Sequence, residues 1–141
     1  MSYQFQILPN SELDKVIPLV YELNEGRIPV SDLNERFDEM AQQNYECAII
    51  LNNNEIVGVT GLWFCTRHYV GRSVESDHVF IDDDYRGKGL GKQFFKWIYN
   101  YVKSKGCESI ELNTYVSNYP SHKFYYNEGF EIYGYHFFKK L

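Results

Sequence analysis

The sequence predicts a mixed α/β fold in which a central, mainly antiparallel sheet is flanked by helices. Between Tyr45 and Thr66, two strand-like runs are separated by Asn52-Asn53-Asn54. Because Asn tolerates the left-handed backbone of a tight turn, these runs form a hairpin. Between Ser73 and Tyr115 the order is strand, helix, strand, which requires a parallel pairing with a crossover. A sheet that holds both connections is mixed.

Size and composition predict one domain, 1–141, in the cytoplasm. The 141 residues are typical of a compact domain, and a hydrophobic content of 44% is enough for one core. No apolar run is long enough to span a bilayer, and the N-terminus lacks the basic and apolar regions of a signal peptide. We therefore expect a soluble protein that does not act at a membrane.

The net charge and the spacing of the cysteines and histidines limit the partners and ligands that we expect. The net charge of −5 disfavours nucleic acid, because a phosphate backbone binds a basic face. An acidic surface suits a cationic substrate, although it also keeps a cytosolic protein soluble. The cysteines are Cys47, Cys65 and Cys107. They are widely spaced and the histidines show no ligand spacing, so we expect neither a disulfide framework nor a metal site.

The elements before the hairpin are a strand and two helices. Tyr3 to Leu8 alternates apolar side chains with Gln, which is the period of a half-buried strand. Ser11 is placed to cap a first helix, which Pro18 should kink. Asp32, with Glu35 three residues later, predicts a capping box for a second helix.

The second half of the chain supplies the remaining elements. A strand from Ser73 to Ile81 leads into a helix that Gly106 should end, and a strand from Ser109 to Tyr115 follows. A short helix over 118–127 is followed by Glu131 to Lys139, predicted as the last strand or strands. The aromatic residues of this last segment form an exposed edge, so a homodimer is one expectation.

A glycine-rich loop between strand and helix is suited to holding a phosphate. It reads Arg86-Gly87-Lys88-Gly89-Leu90-Gly91, with Lys92 next. Glycines let several backbone N–H groups point into one concavity, and the helix adds its positive N-terminal end. A plain strand-to-helix turn also favours glycine and lysine, so the loop alone leaves both interpretations open.

Other phosphate-binding loops fail on spacing. A Walker-type loop needs four residues between its glycines and a Ser or Thr after its lysine. Gly87 to Gly91 encloses three residues, and Gln93 follows Lys92. A dinucleotide fingerprint would need glycine where Lys92 or Phe94 stands.

A second pattern follows near the C-terminus. It reads Asn, two residues, a small residue, two residues, an apolar residue, Tyr, three residues, then Gly-Phe. These places are filled by Asn118, Ser121, Phe124, Tyr125, Gly129 and Phe130. Together with Arg86, Gly89 and Gly91 of the loop, this order resembles the GCN5-related N-acetyltransferases (GNAT). The departure is Ser121, where Ala is commoner.

The resemblance implies a single-domain acyl-CoA N-acyltransferase fold and acetyl-CoA as the acyl donor, without a metal. The loop backbone would hold the pyrophosphate, and the preceding strand would pair with the pantetheine arm. Asn118 would bind that arm, or it only caps its helix. The expected coenzyme-binding residues are Val79, Phe80, Ile81, Arg86, Gly87, Lys88, Gly89, Leu90, Gly91, Lys92 and Asn118.

The catalytic candidates are a tyrosine and two carboxylates. Tyr125 matches the family's tyrosine that protonates the departing thiolate, with a core tyrosine as the alternative. Glu75, Asp77 or His78 could take a proton from the amine, directly or through water. Strand alternation predicts Glu75 and Asp77 on one face and His78 on the other. We favour the carboxylates because they also attract a cationic amine. Charged residues that are merely exposed on a strand would give the same sequence pattern.

The sequence therefore predicts direct acetyl transfer, in a ternary complex, to a primary amine of a small and cationic molecule. A protein N-terminus or lysine is an alternative acceptor. A domain that binds acyl-CoA without catalysis, as a sensor, is the alternative from another class.

Overall fold

The computed structural model describes residues 2–141. They form two compact units, the first ending at Glu111 and the second covering Leu112–Leu141. Each unit has its own secondary structure.

The sheet has five strands that lie in chain order. They are β1 (Tyr3–Leu8), β2 (Tyr45–Asn52), β3 (Glu55–Arg67), β4 (Gly71–Ile81) and β5 (Ser109–Leu112). Neighbours from β1 to β4 pair antiparallel. The start of β5 lies beside the start of β4, where the Glu108 N–H donates to the Arg72 carbonyl at 2.7 Å. The two strands thus run in the same direction, and the sheet is mixed as predicted.

The predicted hairpin is present. Asn53 and Asn54 join β2 to β3 with φ angles of 49° and 70°. Positive φ at both central residues is what a two-residue hairpin turn requires, which explains why asparagines occupy it.

The helices are α1 (Ile17–Leu23), α2 (Val30–Met40), α3 (Leu90–Ser104) and α4 (Tyr119–Asn127), and a 3₁₀ segment (Asn10–Val16) precedes α1. The predicted helix starts are wrong. Pro18 lies in the first turn of α1, where its missing N–H breaks no bond, so it begins that helix instead of kinking it. Pro9 and Pro29 hold the cap positions, and neither start has a side-chain cap from Ser11 or Asp32. No helix within residues 2–141 has the length and apolar character to cross a bilayer.

The core lies on both faces of the sheet. On the front face, which α1 and α2 cover, the buried residues include Val16, Ile17, Val20, Leu33, Phe37, Tyr45, Cys47, Ile49, Val59 and Phe80. On the back face, which α3 covers, they include Ala48, Ile50, Val57, Leu62, Val74, Leu90, Phe94, Ile98 and Val102. Consecutive β2 residues alternate between the two lists, as expected for a strand buried on both sides.

A β-bulge interrupts the pairing of β3 with β4. Gly61 is level with Asp77 and Val59 with Phe80, so two residues of β4 oppose the single residue Thr60. His78 adopts a positive φ of 36° there. The extra residue turns the His78 side chain to the front face, beside Asp77. The prediction that His78 faces away from the carboxylates is therefore wrong, because strict alternation fails at a bulge.

The second unit contains α4, which ends as predicted before Gly129 with its φ of 94°. Strand β5 stops at Leu112, short of the predicted Tyr115. The predicted last strand, Glu131 to Lys139, is wrong: residues 130–141 have no regular structure. Its aromatic alternation suits a strand, but a strand also needs a paired neighbour, and none of the five strands pairs with it. Its large side chains are exposed, including Tyr133, Tyr135, Phe137 and Phe138.

Replacing Gly61 by Ala should destabilise the protein. The new Cβ would lie 2.1 Å from His78 Cε1 and 2.7 Å from Tyr45 Cε1, two rings held in the front-face core. Overpacking of this kind costs roughly 1–3 kcal/mol, measurable by urea denaturation followed by circular dichroism. Gly134→Ala is the control, since its Cβ meets no described atom within 4 Å. Equal unfolding midpoints for the two variants would contradict the packing described.

Candidate functional site

Two left-handed glycines shape the loop between β4 and α3. Gly87 has a φ of 73° and Gly89, the N-cap of α3, a φ of 74°. Apart from the glycine itself and its two chain neighbours, a Cβ on either glycine would meet no atom of residues 2–141 within 4 Å, so the backbone conformation, rather than crowding, requires glycine. No side chain of the described chain caps this helix start. Its first N–H groups can therefore donate to an anion such as a pyrophosphate.

The side chains of the loop differ in their contacts and in their exposure. Arg86 folds back onto β4, donating from Nε to the Ile81 carbonyl at 2.7 Å and from Nη1 to Asp83 Oδ1 at 2.7 Å. Its positive charge is thus paired, and it holds the loop against the strand end. Leu90 is buried in the back-face core, so only its backbone can face a ligand. Lys88 and Lys92 are exposed and can contribute positive charge.

The residues just before the loop leave one backbone edge beyond β5. Phe80 is buried in the front-face core, whereas Val79 and Ile81 are half-buried. Phe80 and Ile81 pair on one side with β3. Counting from the bond between Arg72 and Glu108, Glu111 is level with Glu75. Since β5 ends one residue later, Val79–Ile81 extends past it, and this edge can pair with an extended ligand.

A carboxylate stands at the bulge, held by N–H groups. Asp77 Oδ1 accepts the His78 backbone N–H at 2.9 Å, and Oδ2 accepts the Trp63 indole N–H at 3.2 Å. His78 Nδ1 lies 3.6 Å from Oδ2. The His78 side chain, helped by its backbone and by Trp63, lowers the pKa of Asp77 to about 2 although partial burial opposes this. Asp77 is therefore a fixed anion at neutral pH.

The second predicted carboxylate belongs to an ion-pair cluster on the same face. Arg67 donates from Nε to Glu111 Oε2 at 2.9 Å, and its Nη2 lies 3.7 Å from Glu75 Oε1. Ser73 Oγ donates to Glu111 Oε2 at 3.0 Å. With Asp77, this part of the front face carries three carboxylates and one guanidinium. The excess negative charge favours a cationic ligand.

Sequence reasoning missed several contributors to this face, among them Glu111, Tyr45 and Trp63. Glu111 joins only through the pairing of β5 with β4, and Tyr45 and Trp63 join through cross-strand contacts. No local motif marks such residues. The one available signal is that Trp63 is level with Glu75 and Tyr45 with Trp63, which requires the register to be known.

The second unit holds the other two predicted site residues. Asn118 is the N-cap of α4, where its Oδ1 accepts the Ser121 N–H at 3.4 Å, so the capping role is observed. The Tyr125 ring makes edge contacts with Phe124 and Phe130. Burial raises the pKa of Tyr125 to about 12. Its phenol therefore keeps its proton throughout the neutral range.

Two surface cavities of the first unit are not lined by any of the predicted site residues. Their volumes are about 460 and 370 Å³, and both are lined by Asn44, Phe64 and Lys105. They sit where β2 begins and β3 ends, whereas the glycine loop follows the end of β4.

Comparison with known proteins is consistent across sequence and structure. Residues 14–130 match the family model for the acetyltransferase (GNAT) family. An aminoalkylphosphonate N-acetyltransferase of Salmonella typhimurium is 25% identical over 132 residues, which is 92% of this chain and 86% of that protein. A glucosamine 6-phosphate N-acetyltransferase of Arabidopsis thaliana is 25% identical over 99 residues, 66% of each chain.

Solved structures share the fold at low identity. A ribosomal-protein-alanine N-acetyltransferase from Brucella melitensis biovar Abortus 2308 superposes with a TM-score of 0.82 at 15% identity over 99% of both chains. The aminoglycoside N-acetyltransferase AAC(6′)-Iy in complex with CoA gives a TM-score of 0.82 at 18% identity, over 99% of this chain and 95% of that one. At such identities the likeness establishes the fold.

Proposed function

The chain belongs to the acetyltransferase (GNAT) family and is an acetyl-CoA-dependent N-acetyltransferase; from this premise we propose that its acceptor is a primary amine of a small cationic molecule. The observation that carries the proposal is the charge of the front face, where Glu75 and Glu111 lie against the Arg67 guanidinium and Asp77 adds a third carboxylate beside His78. We further propose that residues 1–141 act as one domain and that transfer is direct, within a ternary complex.

The donor side of the proposal rests on the loop and the strand before it. The backbone N–H groups from Arg86 to Lys92 hold the pyrophosphate, supported by the left-handed glycines and the uncapped helix start. The edge of Val79–Ile81 that extends past β5 pairs with the pantetheine arm, apart from the Ile81 carbonyl, which already accepts from Arg86 Nε. Asn118 binds that arm through its amide nitrogen, because its amide oxygen caps α4.

On the acceptor side, the charges of the front face favour a cationic amine over a phosphorylated one. Two relatives act, by their names, on an aminoalkylphosphonate and on glucosamine 6-phosphate, which carry anionic groups. In this chain Arg67, the guanidinium of the cluster, already faces Glu75 and Glu111. A phosphate would have to compete with both carboxylates for it, whereas an ammonium gains from them.

We assign the steps of acetyl transfer to three residues. The amine nitrogen must lose a proton and attack the thioester carbonyl; the carbon–sulfur bond then breaks and the sulfur takes a proton. Asp77, whose pKa is about 2, is a weak proton acceptor and serves to attract the ammonium. Glu75 takes the proton, directly or through water. Tyr125 supplies a hydrogen to the departing sulfur.

The remaining parts of the proposal concern location and assembly. The cysteines within the described residues are free thiols, which fits the reducing cytoplasm. The exposed aromatic side chains between Tyr133 and Phe138 offer a surface for a homodimer.

A thiol-release assay with acetyl-CoA tests the proposed acceptor. The panel should contain linear diamines, aminosugars, an aminoalkylphosphonate and a peptide with a free N-terminus. We expect the highest kcat/KM with amines that carry a second positive charge. Higher kcat/KM with the phosphonate or the peptide would overturn the cationic small-molecule acceptor. Binding of acetyl-CoA without turnover on any amine would support the sensor alternative.

Replacing Tyr125 by Phe should lower kcat in the same assay. A phenol with a pKa of about 12 transfers its proton uphill to a thiolate, so the effect should lie at the low end for acid catalysis, about 100-fold. Tyr126→Phe is the matched control, because Tyr126 is the adjacent tyrosine and is 56% exposed. Equal kcat for both variants, with chemistry rate-limiting, would remove Tyr125 from the mechanism.

Replacing Gly89 by Ala should weaken CoA binding. Left-handed backbone costs a residue with a Cβ roughly 1–2 kcal/mol, and a loop that relaxes from it misdirects its N–H groups, so we expect at least a tenfold rise in Kd by calorimetry. Gly106→Ala, at the other end of α3 with a φ of 89°, introduces similar strain away from the loop. Equal CoA affinity in the two variants would mean that the loop does not hold the coenzyme.

A further inference from the structure

A buried tyrosine and histidine lie behind Asp77, and the chemistry proposed above does not use either of them. Tyr45 is 2% exposed, and its hydroxyl oxygen is 2.7 Å from His78 Nε2. The other ring nitrogen, Nδ1, is 3.6 Å from Asp77 Oδ2. The three side chains thus form a line from the front-face core to the carboxylate.

The histidine ring is fixed in place by packing. Phe37 makes an edge contact with it, at 5.5 Å between ring centroids, and Gly61 lies so close that a Cβ would be 2.1 Å from Cε1. The His78 backbone at a φ of 36° is a conformation that residues with a Cβ seldom adopt. Strained backbone of this kind persists where the surroundings require a particular side-chain placement.

The hydrogen bond between Tyr45 and His78 decides which nitrogen of the His78 ring carries the proton. Burial raises the pKa of the Tyr45 phenol, so the phenol keeps its hydrogen. When that O–H donates to Nε2, the nitrogen it faces, a neutral imidazole carries its own hydrogen on Nδ1. Nδ1 is the ring nitrogen that lies 3.6 Å from Asp77 Oδ2. The opposite tautomer would turn a lone pair of Nδ1 toward the carboxylate, while Nε2–H would donate to the Tyr45 oxygen.

We propose that Tyr45 and His78 are positioning residues for the Asp77 carboxylate, which they hold in the orientation that receives the acceptor's ammonium group. The proposal rests on the function proposed above. A carboxylate has about four lone-pair sites. The His78 backbone N–H occupies one on Oδ1, while the Trp63 indole and His78 Nδ1–H face Oδ2. The remaining site, on Oδ1, binds the ammonium.

Tyr45→Phe in the full-length chain tests this directly, because it removes only the hydroxyl. Nitrogen-15 NMR of the histidines, at one pH where the ring is neutral, should show His78 as the Nδ1–H tautomer in the wild type and a mixture in the variant. With the best amine of the panel, KM for the amine should rise about 3- to 10-fold, the effect of one lost hydrogen bond. The kcat and the KM for acetyl-CoA should stay within twofold, since Asp77 holds the amine and does not carry the proton.

Two substitutions at His78 separate positioning from packing. The amide nitrogen of His78→Asn can take the place of Nδ1, and Asn tolerates positive φ, so the amine KM should stay near that of Tyr45→Phe. His78→Leu fills similar space without a donor and should raise the amine KM as far as Asp77→Asn does. Tyr101→Phe is the matched control: its hydroxyl also hydrogen-bonds a side chain, the Glu46 carboxylate, but it belongs to α3. It should leave the tautomer and both KM values unchanged.

The outcomes separate this inference from the proposed function. An unchanged His78 tautomer or an unchanged amine KM in Tyr45→Phe would overturn it, even if the wild type acetylates amines. A fall in thermal stability with no change in KM would show that the pair is only structural. Should the wild type acetylate no amine, the function fails, and the NMR comparison alone decides whether Tyr45 sets the tautomer. If Tyr45→Phe does not fold, His78→Asn against His78→Leu carries the same test.

Discussion

The bulge in β4 opposite Thr60 is the constraint on which the candidate site depends. It brings Asp77 and His78 to the same face of the sheet, and it shifts the register of Val79–Ile81 against β3. A bulge leaves ladder groups unpaired, and buried unpaired groups are costly. Thr60 supplies hydrogen bonds at the bulge. Its buried hydroxyl lies 2.7 Å from Ser76 Oγ and donates to the Asp77 carbonyl at 3.0 Å. The bulge is therefore a stabilised feature of the core.

The residues of β4 before the bulge differ in character from those after it. Before the bulge, the front face carries charge: Asp77, Glu75 and the ion-pair partners Arg67 and Glu111. After it, the side chain of Phe80 returns to the core, and the strand ends at the left-handed glycine loop and the open start of α3. Under the proposed function, acceptor recognition relies on these side chains. Donor recognition then relies on backbone groups, which need only glycines and a helix start.

Much of the fold could be predicted because its signals are local. The asparagine turn, the strand–helix–strand order and the glycine loop each depend on neighbouring residues, and each is present. The face of His78 could not be predicted, because a bulge is a relation between two strands. Glu111 was missed for the same reason. The aromatic alternation of 131–139 predicted a strand wrongly, since alternation reports that a segment can pair and says nothing about a partner. The helix starts were misassigned because proline competes with Ser and Asp for the same positions.

The central claim is that backbone groups of the glycine loop hold the donor while the Asp77 carboxylate meets the amine. A crystal structure with CoA and a bound acceptor amine tests it most directly. The account predicts pyrophosphate oxygens within hydrogen-bond distance, about 3 Å, of N–H groups between Gly87 and Lys92, and the ammonium nitrogen equally close to Asp77 Oδ1. A pyrophosphate bound elsewhere, or an amine placed away from Asp77, would contradict it.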